Sequence, residues 1–247
     1  DAIVRLLQFL GHQVIIQNHL GDWGTQFGML IEHMLDECQH IDDTTPISTL
    51  NTWYQAAKKR FDDDADFAQR AKARVVLLQQ GDASTLALWK QLVTQSEISF
   101  DGLYQRLQLL MKREHNRGES FYNDMLSPLV QTLQASQLAE KSDGATVIFL
   151  PGFVDRDKKP LPMIIQKSDG GFLYATTDLA AAQYRLQSLH AKRLIYVTDA
   201  RQQQHFKMLF AAIRAAHWAD DTIALDHIAF GSVLGEDKKP FKTRCGE

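Results

Sequence analysis

An α/β fold with a mostly parallel sheet and a large, mainly helical insertion is what this sequence predicts. Three observations carry that expectation. Helical and strand-like patterns alternate at both ends of the 247-residue chain, the arrangement that builds parallel sheets. The pattern from Ser48 to about Leu110 is helical throughout. Near the start, an apolar strand run ends in a glycine-bounded turn that opens a helix, a grammar that puts ligands at the carboxyl ends of strands.

The elements follow in order. Residues 2–10 have a helical pattern closed by Gly11, which suits the left-handed position after a helix. Val14 to Asn18 is a short apolar strand, His19 to Gly24 a turn, and Thr25 to Cys38 a second helix. In that helix Phe27, Leu30, Ile31, Met34, Leu35 and Cys38 recur at the spacing of one buried face. A polar break over residues 39–47 separates this first part, 1–47, from the insertion, 48–140. Within the insertion the acidic run Asp62–Asp66 suits a helix start, Gly81 a stop, and Asp82 the next cap. Leu86, Trp89, Leu92 and Val93, resumed by Phe100, Leu103 and Leu107, make an apolar stripe suited to core packing. A last helix is expected around Pro128 to Ala139.

Strand grammar returns over 141–247. Ala145 to Leu150 reads as a buried strand. Met163–Lys167 and Phe172–Thr176 read as a hairpin around Ser168-Asp-Gly-Gly171, whose glycines supply positive φ. Asp178 opens a helix to about His190. Strand Leu194–Val197, a helix from about Gln202 to Trp218, and strand Ile223–Phe230 complete the set.

Composition bounds the chemistry. With 45 % hydrophobic residues the chain can bury a sizeable core, and 27 basic against 30 acidic side chains leave a formal charge of −3. Any nucleic-acid contact therefore depends on local patches. Two cysteines, Cys38 and Cys245, form no Cys-x-x-Cys or Cys/His cluster. Structural zinc and a disulfide framework are not expected, and a reducing, cytoplasmic setting fits. No membrane-spanning run or signal peptide is present in the sequence. The chain opens on Asp1 inside a helical pattern and closes in a charged loop, so both ends are expected to be cuts in a longer protein.

Two strand ends gather polar side chains: Tyr174 with Asp178, and the run Asp199 to His205. A carboxylate beside a tyrosine suits a planar cation, which it can hold by a two-pronged hydrogen bond. Asp178 equally suits a helix cap and Tyr174 a strand core position. From Ile228 to Cys245 an apolar run meets a glycine turn and then a loop rich in Lys and Arg, suited to a phosphate chain or to a solvated turn. Gly-x-Gly-x-x-Gly, the P-loop, His-Glu-x-x-His and Gly-x-Ser-x-Gly are all absent from the sequence.

Four blocks in order resemble the arginyl-tRNA synthetases, a class I family: His19–Ile31, Asp169–Leu179, Tyr196–His205, and Phe230–Gly235 with Phe241–Arg244. Gly118–Asn123 is also similar. The resemblance implies a Rossmann-like catalytic domain that joins L-arginine to the α-phosphate of ATP, with Mg2+ accompanying the nucleotide. The arginyl group then passes to the terminal adenosine of tRNA(Arg). It implies that Tyr174 and Asp178 hold the guanidinium with Gln202 nearby, and that His227, Gly231 and Val233 line the adenine side. Lys242 and Arg244 would act on the phosphates from the mobile loop, and Asp22 and Gln26 would lie on the wall facing substrate and the tRNA end. A monomeric parent is expected, with no membrane partner. The family's His-Ile-Gly-His-type motif is absent, and Pro240 stands where many relatives have Lys. The isolated chain is therefore expected to be inactive. A truncated, non-catalytic paralogue that binds arginine or nucleotide is the alternative, and a different nucleotidyl-transferring enzyme on the same fold a more distant one.

Overall fold

The computed structural model describes residues 1–42, 45–232 and 234–235. They form two compact units, Asp1–Ser120 and one that begins at Phe121. Each has its own core.

The first unit opens with α1 (Ala2–Phe9), whose Arg5 bridges to Asp1 at 2.8 Å and donates to the Gln108 carbonyl at 2.8 Å. β1 (Asn18–Leu20) follows, then α2 (Thr25–Asp36), α3 (Ile47–Asp63), α4 (Ala65–Gln79) and α5 (Ala83–Arg106). β1 pairs in parallel with β2 (Asn116–Gly118). The expected strand at 14–18 therefore forms later, at Asn18–Leu20. Strand formation follows the partner, and the partner Asn-Arg-Gly has neither alternation nor β-branched residues to announce it.

Inside this unit α2 packs on α3, α4 and α5. Leu30, Ile31 and Met34 of α2 meet Leu50 and Leu92, while Met29 meets Ala57, Phe67 and Ala71. Gly28 allows α4 to come close, because a side chain there would collide with the Ala71 carbonyl and Val75. The expected cap at Asp82 forms, and within the acidic run Asp64 caps α4. Asp64 accepts from the backbone of Asp66 and Phe67 at 2.9 and 3.1 Å, and Asp82 from that of Thr85 at 2.8 Å.

A charge network ties the same helices. Arg74 reaches the buried Glu32 carboxylate at 2.7 Å. Arg70 forks onto Asp36 at 2.8 and 2.7 Å, with Arg60 on the same carboxylate at 2.7 Å. Bidentate pairs of this kind are stronger than ordinary surface ion pairs.

The second unit carries α6 (Asn123–Ala135), β3 (Glu140–Ser142), β4 (Ala145–Val154), β5 (Pro160–Gln166), α7 (Tyr174–Gln183), β6 (Arg193–Asp199), α8 (Gln203–Ala215) and β7 (Ala224–Phe230). β3, β4 and β5 form an antiparallel meander, whereas β6 and β7 pair in parallel over their full lengths. α7 packs on α6, α8 and β5, and α8 also covers β4 and β7. α6 begins at Asn123, so Pro128 lies inside the helix instead of starting it.

The expected hairpin around Asp169-Gly-Gly is corrected. Met163 to Gln166 belong to β5, whose partner is β4, with Ile148 opposite Met163. The glycine turn does form, Lys167 N–H donating to Gly171 at 2.8 Å, but its second arm is a single bridge from Gln166 to Phe172. The chain then enters α7 at Tyr174, four residues before Asp178. The reason is the run Ala-Thr-Thr and Ala-Ala-Ala. Ala175, Thr176, Thr177, Leu179, Ala180, Ala181 and Ala182 are all buried, so small residues on nearly every side let the helix sink into the core. Such a helix has no amphipathic stripe and reads as a strand. Thr176 adds a hydroxyl bond to the Ile165 carbonyl.

Acid should act on the first unit through Asp36. Hydrogen bonds from Arg70, then from Arg60, hold its carboxyl below the ordinary 3.8. A carboxyl depressed by folding stabilises the fold above its unfolded value, and that stability is lost as pH falls below about 4. The urea midpoint followed from pH 6 to pH 2.5 should drop steeply below about 4, and Arg70→Met should flatten the drop.

Candidate functional site

In the second unit the side chains of interest gather on α7 and α8 and at the ends of β6 and β7. Tyr174 and Asp178 stand four apart on α7 and so share one face of that helix. Tyr174 is 64 % exposed, which excludes a strand-core role, and the helix cap is Leu173, so Asp178 is not spent on capping. The Asp178 side chain is 17 % exposed.

His205 of α8 meets Asp178, with Nε2 2.7 Å from Oδ2. The Tyr174 ring stands edge-on to the imidazole at 5.0 Å between centroids, and the Phe206 ring at 5.2 Å. Arg185, in the π turn that continues α7, is near enough to interact with the Asp178 charge and lies 5.2 Å over the Tyr196 ring. Burial pushes the Tyr196 phenol up, while Arg185 beside it acts to lower it. An imidazole thus bonds the carboxylate on this helix pair, two rings stand against the imidazole, and Arg185 acts on the carboxylate through its charge.

The parallel strands end beside it in sequence. Asp199 closes β6 and accepts from Arg201 N–H at 2.8 Å and from its guanidinium at 2.8 and 3.1 Å. Those bonds hold its carboxyl well below the usual carboxylate range. Ser232, just after β7, donates its hydroxyl to Asp199 at 2.8 Å, which ties the glycine turn to the end of β6. His227 of β7 stacks on Phe206 at 4.6 Å and shares a 2.8 Å hydrogen bond with Thr198. Gly231 is exposed, and among the described residues nothing lies within 4 Å of where a side chain would project. Gln202 is exposed at the mouth of α8. Val233, Lys242 and Arg244 lie outside the described residues.

Asp22 and Gln26 belong to the first unit. Asp22 is buried, and its carboxylate accepts from Ser120 N–H at 2.9 Å and from the Ser120 hydroxyl at 2.6 Å. Its carbonyl accepts from the Trp89 indole at 2.6 Å, and Trp89 meets Trp23 edge-on. Gly118 makes room for this carboxylate, since any side chain there would overlap it. Gln26 is exposed on the first turn of α2 and lines a cavity of about 410 Å³ with Trp23, Met29, Tyr54, Lys58 and Phe61.

Sequence reasoning gave no role to His205, Arg185 or Ser120. His205 stood inside a motif already singled out, and its place one turn into the helix after a polar strand end was a usable signal. Ser120 lay within Gly118–Asn123, a segment that resembles the family, whereas Arg185 had no such signal. Among the described residues no three His, Cys, Asp or Glu converge on a metal-sized site, and no helix is long and apolar enough to cross a membrane.

A family model described as tRNA synthetases class I (R), catalytic domain, matches residues 1–247. The chain belongs to that family. It is 52 % identical over 247 residues to the arginine–tRNA ligase of Cellvibrio japonicus and 49 % identical over 247 to that of Thermobifida fusca. Each match covers 100 % of this chain and 43 % of the relative, so the chain spans about two fifths of their length. Among solved structures, arginyl-tRNA synthetase from Plasmodium falciparum superposes with a TM-score of 0.80 at 34 % identity, covering 95 % of this chain and 39 % of that one. The Thermus thermophilus arginyl-tRNA synthetase, at 18 % identity and a TM-score of 0.68 over 95 % of this chain and 44 % of that one, shares the fold. The expected α/β class with parallel strands holds.

The Asp22–Ser120 contact yields a test of construction. Ser120→Ala leaves one bond to a buried carboxylate unmade and should cost about 1–2 kcal/mol in denaturant unfolding. Gly118→Ala forces the carboxylate aside and should cost more, about 2–3 kcal/mol.

Proposed function

We propose that this chain is the catalytic core of an arginine–tRNA ligase that activates L-arginine with ATP and charges tRNA(Arg) in the cytoplasm. The arginine carboxylate attacks the α-phosphorus, pyrophosphate leaves, and a ribose hydroxyl of the tRNA terminus then takes the arginyl group as AMP departs. The supporting observation is a half-buried carboxylate, Asp178, with a solvent-reachable phenol, Tyr174, on one helix face of a chain that matches the arginine-class family from end to end.

In this reading Asp178 and Tyr174 hold the guanidinium, and Gln202, at the helix mouth, contacts the same substrate. A partly desolvated carboxylate favours a planar cation and leaves its bonds unmade with a neutral side chain, which rejects other amino acids. His227, backed by Phe206 and anchored by Thr198, lines the adenine side with the backbone of Gly231 and Val233. Lys242 and Arg244 neutralise the phosphates as pyrophosphate leaves. Mg2+ fits here as an ion carried in on ATP, since magnesium is usually held by phosphate oxygens and the described residues offer no cage for it. Asp22 shapes the substrate wall by holding Ser120, and Gln26 faces the tRNA end.

In a full-length ligase carrying this sequence, Asp178→Ala should weaken arginine binding by about a hundredfold or more while the KM for ATP changes little. Arginine titration and ATP–pyrophosphate exchange measure the two. Unchanged arginine affinity in a folded variant contradicts the assignment.

A further inference from the structure

The Asp178–His205 contact has a chemical consequence for whatever cation Asp178 receives. We infer that His205 is a positioning residue for guanidinium capture, and that arginine binds the form in which His205 is neutral and so displaces a proton. The inference rests on Asp178 being the guanidinium receptor.

The imidazole is held in place. Nε2 lies 2.7 Å from Asp178 Oδ2, the two side chains are 14 % and 17 % exposed, and the rings of Tyr174 and Phe206 stand edge-on to it. Swinging His205 out would break all of these contacts, so it stays beside the carboxylate when a ligand arrives. A carboxylate offers about four acceptor sites over its two oxygens. A neutral His205 that donates Nε2–H uses one of them, fixes the carboxylate's rotation, and leaves it able to take a two-pronged cation. A protonated His205 fills the same site but adds a positive charge within a few ångströms of the incoming guanidinium.

The groups around His205 make that charge count. α7 presents Asp178 and Tyr174. The turn after α7 presents Arg185, whose charge is already coupled to Asp178 and which lies over Tyr196 of β6. β7 presents His227, which stacks on Phe206. On its own chain Asp199 is engaged with Arg201 and Ser232, and Lys207 is exposed. Asp178 is the carboxylate that meets His205, and Arg185 acts on the same charge. A substrate guanidinium together with an imidazolium would place two cations at that carboxylate, with the charge of Arg185 acting on it as well. Expelling the imidazole proton removes one of them.

Linkage sets the size of the effect: where binding releases one proton, affinity changes by about tenfold per pH unit. The experiment uses the full-length ligase and L-arginine alone. Calorimetric titration from pH 5.5 to pH 8, in buffers of different ionisation enthalpy, counts the protons released. The wild type should release close to one proton per arginine at the acid end, with affinity rising towards pH 8. His205→Gln keeps an N–H donor at the same reach but does not titrate. It should bind within about threefold of wild type at pH 8, with a flat pH profile and no proton release.

A wild type that releases no proton overturns the inference, and this arm needs no variant to fold. An unchanged slope in His205→Gln overturns it as well. Asp178→Asn separates this inference from the reading it rests on. If Asp178→Asn binds arginine normally, the receptor assignment fails. If it loses arginine while His205→Gln keeps the wild-type slope, only the role of His205 fails.

Discussion

The hydrogen bond between Asp178 and His205 joins α7 to α8 at the proposed guanidinium site. A carboxylate that far from bulk water needs a partner, because leaving it unpaired costs more than the bond itself returns. Around that need the neighbourhood is built. α7 can lie deep because its faces are Ala and Thr, α8 can approach it because those faces are small, and two rings brace the imidazole between them. Arg185 and Tyr196 complete the neighbourhood, and burial keeps the phenol neutral.

The first unit solves a similar problem with different parts. Asp22 is buried at the end of β1, and Ser120 satisfies it from just beyond β2. The parallel pairing of Asn18–Leu20 with Asn116–Gly118 brings those segments together, and Gly118 leaves the volume the carboxylate needs. A residue read as part of a binding wall thus has a structural task first, in organising the segment that carries Glu119 and Ser120. The helices beyond it are held by an ordinary apolar core and by Arg70, Arg74 and Arg60 closing on Glu32 and Asp36.

Much of this was legible from residues alone. The parallel strands β6 and β7 announced themselves as apolar runs followed by polar ends, and the caps Asp64 and Asp82 lay within acidic or glycine-marked boundaries. α7 was misread because burial on all sides erases the periodicity that identifies a helix. β2 was invisible because three polar residues become a strand only when a partner lies alongside. Of the proposed site, Tyr174, Asp178 and Gln202 were named from motif order and His227 from the family resemblance, and the structure sets the first two on one helix face. The partner of Asp178 was not legible, since which side chain satisfies a carboxylate is decided by how two helices cross. Val233, Lys242 and Arg244 lie outside the described residues, so their roles rest on motif order.

In the proposed function Asp178 selects a positive charge. Citrulline has the shape of arginine but a neutral head group, so comparing their affinities for the full-length ligase isolates that charge. Arginine should bind at least about a thousandfold more tightly than citrulline, and Asp178→Asn should shrink the gap to less than about tenfold by weakening arginine. A gap that survives intact in a folded Asp178→Asn enzyme would place charge selection elsewhere and contradict the account.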